Sequence, residues 1–130
     1  MSQHDAEAVR AAYATLAEGD AEPYLALFDE RGEFVEPDSM PYGGTYRGHE
    51  GLTDLFAAID QTWDGLHFEV QQVLDAGDHL VVISRARGRA RATGRTIDEV
   101  VTEVLRMKAG KIVSSRSSVD TARVLAALAA

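Results

Sequence analysis

The sequence predicts an α+β fold in which helices cover one face of an antiparallel sheet, and three observations lead there. Apolar residues in the first half recur at helical spacing, those of the second half alternate with polar ones, and glycines punctuate the alternating runs where tight turns need them. Helices followed by a meander is the α+β order. A chain of 130 residues can bury one continuous core, so a single domain over residues 1–130 is expected.

Val9, Ala12, Tyr13 and Leu16 fall at i, i+3, i+4 and i+7, which predicts an amphipathic helix over about residues 4 to 18, stopped by Gly19. Asp20 is placed to cap a second short helix, in which Pro23 is tolerated and Leu25 to Phe28 supply the apolar face. Glu33 to Glu36 reads as a short strand. Residues 37 to 48, PDSMPYGGTYRG, read as the longest irregular loop, mobile for want of apolar anchors. Leu52, Leu55, Phe56, Ile59 and Trp63 then repeat at three and four residues and predict another helix. Glycines at 77, 94 and 110 mark three hairpin turns, giving a four-stranded antiparallel meander, and Asp120 can cap a short C-terminal helix carrying Val124, Leu125 and Leu128.

Composition narrows the chemistry. A net charge of -8 argues against a nucleic-acid partner, whose phosphates are held by Lys and Arg. No apolar run approaches the roughly 20 residues a membrane helix needs, so no membrane partner is expected. Met1 to Arg10 carries Asp5 and Glu7 and has no apolar leader core, which makes a cytoplasmic protein the expectation. The absence of cysteine leaves oxygen and nitrogen groups to do any chemistry, and no histidine spacing suggests a metal.

Strand pairing places the candidate residues. A two-residue turn at Thr93-Gly94 sets Arg89 against Asp98, Ala86 against Val101 and Ser84 against Glu103. Ser84, Ala86, Gly88 and Ala90 then share a face with Ile97, Glu99, Val101, Glu103 and Leu105, while Arg85, Arg87, Arg89 and Arg91 take the other. Small residues leave volume for a ligand, so theirs is the concave face. A two-residue turn at Ala109-Gly110 sets Arg116 opposite Glu103, with Ile112, Ser114 and Ser118 beside it. A three-residue loop around Gly77 turns Phe68, Val70, Gln72 and Leu74 inward. An apolar concavity with a Glu103, Arg116 and Ser84 cluster results, in which Glu103 is either a neutralised structural partner or a general acid/base.

The order of elements, with AEGD at 17–20, PYGGTYRGHEG at 41–51, ATGR at 92–95, GKIV at 110–113 and VDTARVLAAL at 119–128, resembles the SnoaL-like branch of the nuclear transport factor 2-like superfamily over nearly the whole chain. The resemblance implies a cone-shaped curved sheet wrapped by the N-terminal helices, commonly a homodimer, in a group that includes polyketide cyclases, ketosteroid isomerases, scytalone dehydratases and limonene epoxide hydrolases. Ketosteroid isomerase uses a helix tyrosine, a base carboxylate after the first strand and a protonated acid on the meander. Tyr13, Asp38 and Glu103 are the nearest matches, with Tyr13 one position off, Asp38 following Pro37 where the isomerase has its acid before it, and Glu103 replacing an aspartate. In SnoaL-like cyclases a histidine often holds the strand position of Glu103.

Each candidate has two readings. Tyr13 packs in the core or donates to a substrate carbonyl; Asp38 forms a turn or acts as base; Asp120 caps its helix or reaches the pocket. Tyr42, Tyr46 and Trp63 wall an aromatic ligand or close the core, joined on the substrate side by Phe56, Phe68, Ser84 and Val101. The arginine stripe is a solvated face with Arg89 paired to Asp98, or a contact to a second subunit. The function expected is a cofactor-free acid/base enzyme of polyketide cyclase or ketone isomerase type acting on a hydrophobic small molecule, with Asp38 or Glu103 as base and Tyr13 or Arg116 as donor. Epoxide hydrolysis and a noncatalytic ligand-binding or dimerisation module are the alternatives. A homodimer is expected through the outer face carrying Val100, Thr102 and Val104.

Overall fold

A computed structural model of the chain describes residues 3–129; Met1 and Ser2, part of the stretch read for a leader, lie outside them. Its elements run α1 (Gln3–Ala17), α2 (Glu22–Leu27), β1 (Phe28–Glu36), β2 (Gly44–Arg47), α3 (Gly48–Thr62), β3 (Trp63–Asp75), β4 (Leu80–Ala90), β5 (Thr96–Lys108), β6 (Lys111–Ser118) and α4 (Thr121–Leu128). The strands form one curved, six-stranded sheet in the order β2-β1-β6-β5-β4-β3. This is the expected α+β architecture, with the meander β3 to β6 intact. No helix among the described residues is long and apolar enough to cross a membrane.

The first half differs from expectation in three places. β1 begins at Phe28 rather than Glu33, because residues 33 to 35 pair in parallel with Ser114, Ser115 and Arg116 of β6, and Phe28 pairs with Ile112 beyond a bulge. The segment read as a loose loop contains β2, paired antiparallel to β1, and Met40 and Tyr42 are buried in it. Those anchors remove the reason for expecting unusual mobility there. Trp63 opens β3 instead of ending α3, and is 1% exposed.

Turn chemistry decides the register of the second half. Arg91 to Gly94 form a four-residue turn in which Gly94 N–H donates to Ala90 O at 2.8 Å, so β4 and β5 slide by two residues relative to the expected two-residue turn. Ser84 therefore faces Val101, Val82 faces Glu103, and Arg87 faces Asp98. A two-residue slide keeps every side chain on its face. Ala109 and Gly110, both at positive φ (51° and 77°), do make the tight turn between β5 and β6. Three residues after Gly110, Val113 is extra, and this bulge moves the pairing by one. Leu105 and Glu103 meet Ser115 and Ser117, both buried, while Arg116 sits against Val104 on the convex face and is exposed. A second bulge at Gln71 leaves Phe68 and Val70 on the concave side with Ala86 and Ser84, and Val73 beyond it also points inward. Gln72 and Leu74 are turned outward, opposite to expectation, and Leu74 is 45% exposed.

The core lies between the concave face and α1, α2 and α3, built on Val9, Tyr24, Phe28, Leu52, Leu55, Trp63, Leu80, Val82, Leu105 and Ile112. α4 is held at both ends. Asp120 Oδ1 accepts from Arg123 N–H at 3.2 Å, and Arg95 Nη1 donates to the carbonyls of Ala126 and Ala129, completing backbone groups that a helix end leaves open. On the convex face Asp98 pairs with Arg85 at 2.5 Å and Arg87 at 3.4 Å, not with Arg89 as the undisplaced register required.

Candidate active site

Three short stretches of chain converge on a cavity of about 350 Å³ between the concave sheet face and the helices, within the range of small-molecule sites. The stripe of α1 that buries Val9 and Ala12 also buries Tyr13, whose hydroxyl donates to Glu103 Oε1 at 2.7 Å. Glu103 is on the inward face of β5, as its alternation with Val101 and Leu105 requires. Alternation along β1 similarly buries Phe34 and Glu36, and Glu36 is 7% exposed at the strand's inner end.

The chain after Glu36 is closely folded. Met40 N–H donates to Pro37 O and Gly43 N–H to Met40 O, and a Cβ at Gly43 would lie 2.3 Å from Pro37 O, so only glycine fits the return. This compact turn directs Tyr42 inward, where its hydroxyl accepts from Trp63 Nε1 at 2.9 Å. Tyr24 of α2 packs edge-on to Tyr13, with ring centroids 5.4 Å apart, and is 1% exposed. Its hydroxyl lies near Tyr13 and Ser115 without bonding geometry to any partner.

Electrostatics follow from this burial. Desolvation, reinforced by Glu103, pushes the Glu36 carboxyl from 4.5 up to about 8. Desolvation also raises Glu103, to about 6, while the hydrogen bond from Tyr13 acts against the rise. The Tyr13 phenol is pushed well above its usual range by burial and by Glu103, so it remains a donor. At neutral pH the two carboxyl groups thus divide into a protonated Glu36 and a mostly ionised Glu103.

Of the residues singled out from sequence, Tyr13, Tyr42, Phe56, Trp63, Phe68, Val101 and Glu103 line the cavity. The Glu103, Arg116 and Ser84 cluster does not form: the Val113 bulge puts Arg116 on the opposite face, and Ser84 is buried in the sheet away from the lining with its hydroxyl unpartnered. Asp38 is exposed beyond Pro37, outside the lining. Tyr46 is half-buried and spends its hydroxyl on Tyr42 O at 2.8 Å, and Asp120 is exposed as the cap of α4. Sequence reasoning missed Glu36 and Tyr24. The signal for Glu36 was present, since it is the acid directly before Pro37.

A profile of the SnoaL-like domain matches residues 9–115. The fold is similar to that of an NTF2-like protein from Burkholderia thailandensis E264, at 29% identity and TM-score 0.89 over 97% of this chain and 98% of that one. It is also similar to an NTF2-like protein of unknown function from Burkholderia pseudomallei K96243, at 25% identity and TM-score 0.91 over the whole of both chains. TerC, crystallised with polyporic acid, shares the fold at 24% identity and TM-score 0.87, covering 95% and 97%. No curated protein matches the chain.

Proposed function

The chain belongs to the SnoaL-like domain family, and we propose that it is a cofactor-free acid/base enzyme acting on a hydrophobic ketone, of polyketide cyclase or ketone isomerase type. One observation carries this reading: two carboxyl groups with divergent proton affinities, Glu36 and Glu103, line the same largely apolar cavity. Glu103, ionised and oriented by Tyr13, takes the proton α to the carbonyl. Glu36, protonated, gives its proton to the carbonyl oxygen as the enol forms. Glu103 then returns its proton to carbon, which completes isomerisation, or, where the enol carbon attacks a second carbonyl, to the alkoxide formed there, which completes cyclisation; in both cases Glu36 recovers its proton from the enol oxygen as the first carbonyl re-forms. TerC's crystallisation with polyporic acid is in keeping with a small-molecule site in this fold. Epoxide hydrolysis relied on an arginine beside Glu103, and the noncatalytic module on a neutralised Glu103-Arg116 pair; with Arg116 on the convex face, neither retains its support.

Exchange of the α-protons of 2-tetralone in D2O, followed by NMR, tests enolisation without knowledge of the natural substrate. Exchange above the buffer rate, greatest between about pH 6 and 8, is expected; exchange at the buffer rate would remove the enzymatic reading. Tyr13→Phe deletes the bond that lowers the Glu103 pKa, so the acidic limb of the profile should move up by about one pH unit or more, given the worth of a hydrogen bond to a charged group. A profile that only scales down, with unmoved limbs, would deny Tyr13 this role.

We also propose a homodimer. Val100 and Val104 are 47% and 37% exposed on the convex face, beside paired arginines and Asp98, an apolar patch seldom left to water. Light scattering at micromolar concentration should return twice the 14.1 kDa chain mass, and the monomer mass would rule this out.

A further inference from the structure

The cavity's charge is one-sided in a way that enolisation of a neutral ketone does not require. Four acidic residues line it, Glu36, Asp60, Glu99 and Glu103, and among the described lining residues there is no Lys, Arg or His. Two of the four have cationic partners reaching in from outside: Glu99 Oε2 is 2.9 Å from Arg123 Nε, and Asp60 is within 3.9 Å of Arg91. The inner two have none. Glu103 has only the Tyr13 hydroxyl, and Glu36, more than nine-tenths buried, has no hydrogen-bond or ion-pair partner among the described residues.

Aromatic rings share the cavity with these two carboxyl groups. Tyr24, Phe34, Tyr42, Phe56, Trp63 and Phe68 all line the same space. Ring faces are electron-rich, and a cation set against several of them and beside a carboxylate is held by both while its alkyl groups stay in apolar surroundings. A buried carboxyl with no partner is costly to ionise, and a ligand bringing a positive charge supplies the missing counter-ion.

We infer that the cavity binds a hydrophobic amine as its ammonium ion, with the nitrogen seated at Glu36 and Glu103 and the hydrocarbon against the aromatic wall. This goes beyond the ketone reading and does not rest on it. An amine so bound occupies the space of the ketone and competes with it. Binding carries a proton consequence. The amine arrives already protonated at pH 7, whereas Glu36 holds its own proton in the empty cavity; the cation favours the carboxylate, and that proton leaves to the buffer. Groups facing Glu36 from the surrounding elements are Glu103 on β5, Tyr42 after β1 and Tyr46 on β2, none of which can take the cation's place.

N,N-dimethylbenzylamine and its uncharged carbon isostere isobutylbenzene make the test, read by quenching of Trp63, the chain's one tryptophan, and by calorimetry in buffers of differing ionisation enthalpy. At pH 7 the amine should bind at least about tenfold more tightly than the isostere, releasing close to one proton per molecule bound. Glu36→Gln should abolish the proton release, and Glu36→Gln combined with Glu103→Gln, which removes both carboxyl groups, should bring the two ligands to within about threefold of each other. Equal binding of both ligands to the wild type, or amine binding with no proton released, would overturn the inference. 2-Tetralone exchange measured on the same protein separates the readings, since amine preference can fail with exchange intact, or exchange can be missing with the amine preference present.

Discussion

Glu103→Gln is expected to reduce 2-tetralone exchange by about 100-fold or more, the usual contribution of a positioned general base. Glutamine preserves shape and can still accept the Tyr13 hydroxyl through its amide oxygen, but it cannot take the α-proton. The fold should survive the change. Had Arg116 faced Glu103, the substitution would have stranded a buried charge and cost about 3 kcal/mol or more; Arg116 is exposed on the other face of the sheet, so no such penalty arises. Removal of a partly desolvated carboxylate is neutral or stabilising at pH 7 instead. Thermal denaturation beside the exchange assay checks both halves. A variant that unfolds near room temperature would make Glu103 structural, and one that keeps full exchange would exclude it as the base.

Glu36→Gln should produce the largest change in the pH dependence of stability. The folded-state pKa of Glu36, about 8, lies above the unfolded value near 4.5, so the folded protein binds the extra proton between those limits. Its contribution is fully present below about pH 4.5 and is lost as pH rises through about 8. At about 1.36 kcal/mol per pH unit, the wild type should lose on the order of 4 kcal/mol from this group between pH 4.5 and 9. Glu103, raised to about 6, adds a smaller loss of the same sign at the acidic end of that window. Glutamine resembles the protonated carboxyl, so the variant should match the wild type at pH 5 and exceed it at pH 9. Urea denaturation at the two pH values measures the difference. Equal alkaline losses in the two proteins would mean that Glu36 is not a buried neutral acid.

The concave face of β4 and β5 was legible because a sheet's side-chain period is two. The four-residue turn at Arg91 to Gly94 displaced the expected pairing by two residues, and Glu103, Val101 and Ala86 stayed on the cavity side. The bulges at Val113 and Gln71 had no such protection. The bulge at Val113 inserts a single residue and carries Arg116 outward. Around Gly77, Asp75 pairs with Leu80 and Ala76 N–H donates to His79 O, an even-numbered turn in place of the expected three-residue loop, which turns Gln72 and Leu74 outward. The bulge at Gln71 then returns Val70 and Phe68 to the cavity side. Neither bulge position holds a glycine or proline that would mark it in the sequence. Tyr24 was hidden differently, since α2 has only six residues, too few for a periodicity to identify its buried side. Asp38 was preferred over Glu36 although the isomerase pattern calls for an acid before the proline. What separates them physically is burial: Glu36 ends an inward-alternating strand, and Asp38 lies past the turn in solvent.

The charge state of the two carboxyl groups underlies both the catalytic reading and the amine inference, and it can be observed directly by carboxyl carbon NMR of protein labelled at glutamate δ-carbons. Two resonances should titrate away from the rest, one near pH 6 that vanishes in Glu103→Gln and one near pH 8 that vanishes in Glu36→Gln. Titration of every glutamate near pH 4.5, with neither resonance set apart, would contradict a buried acid and base sharing one cavity.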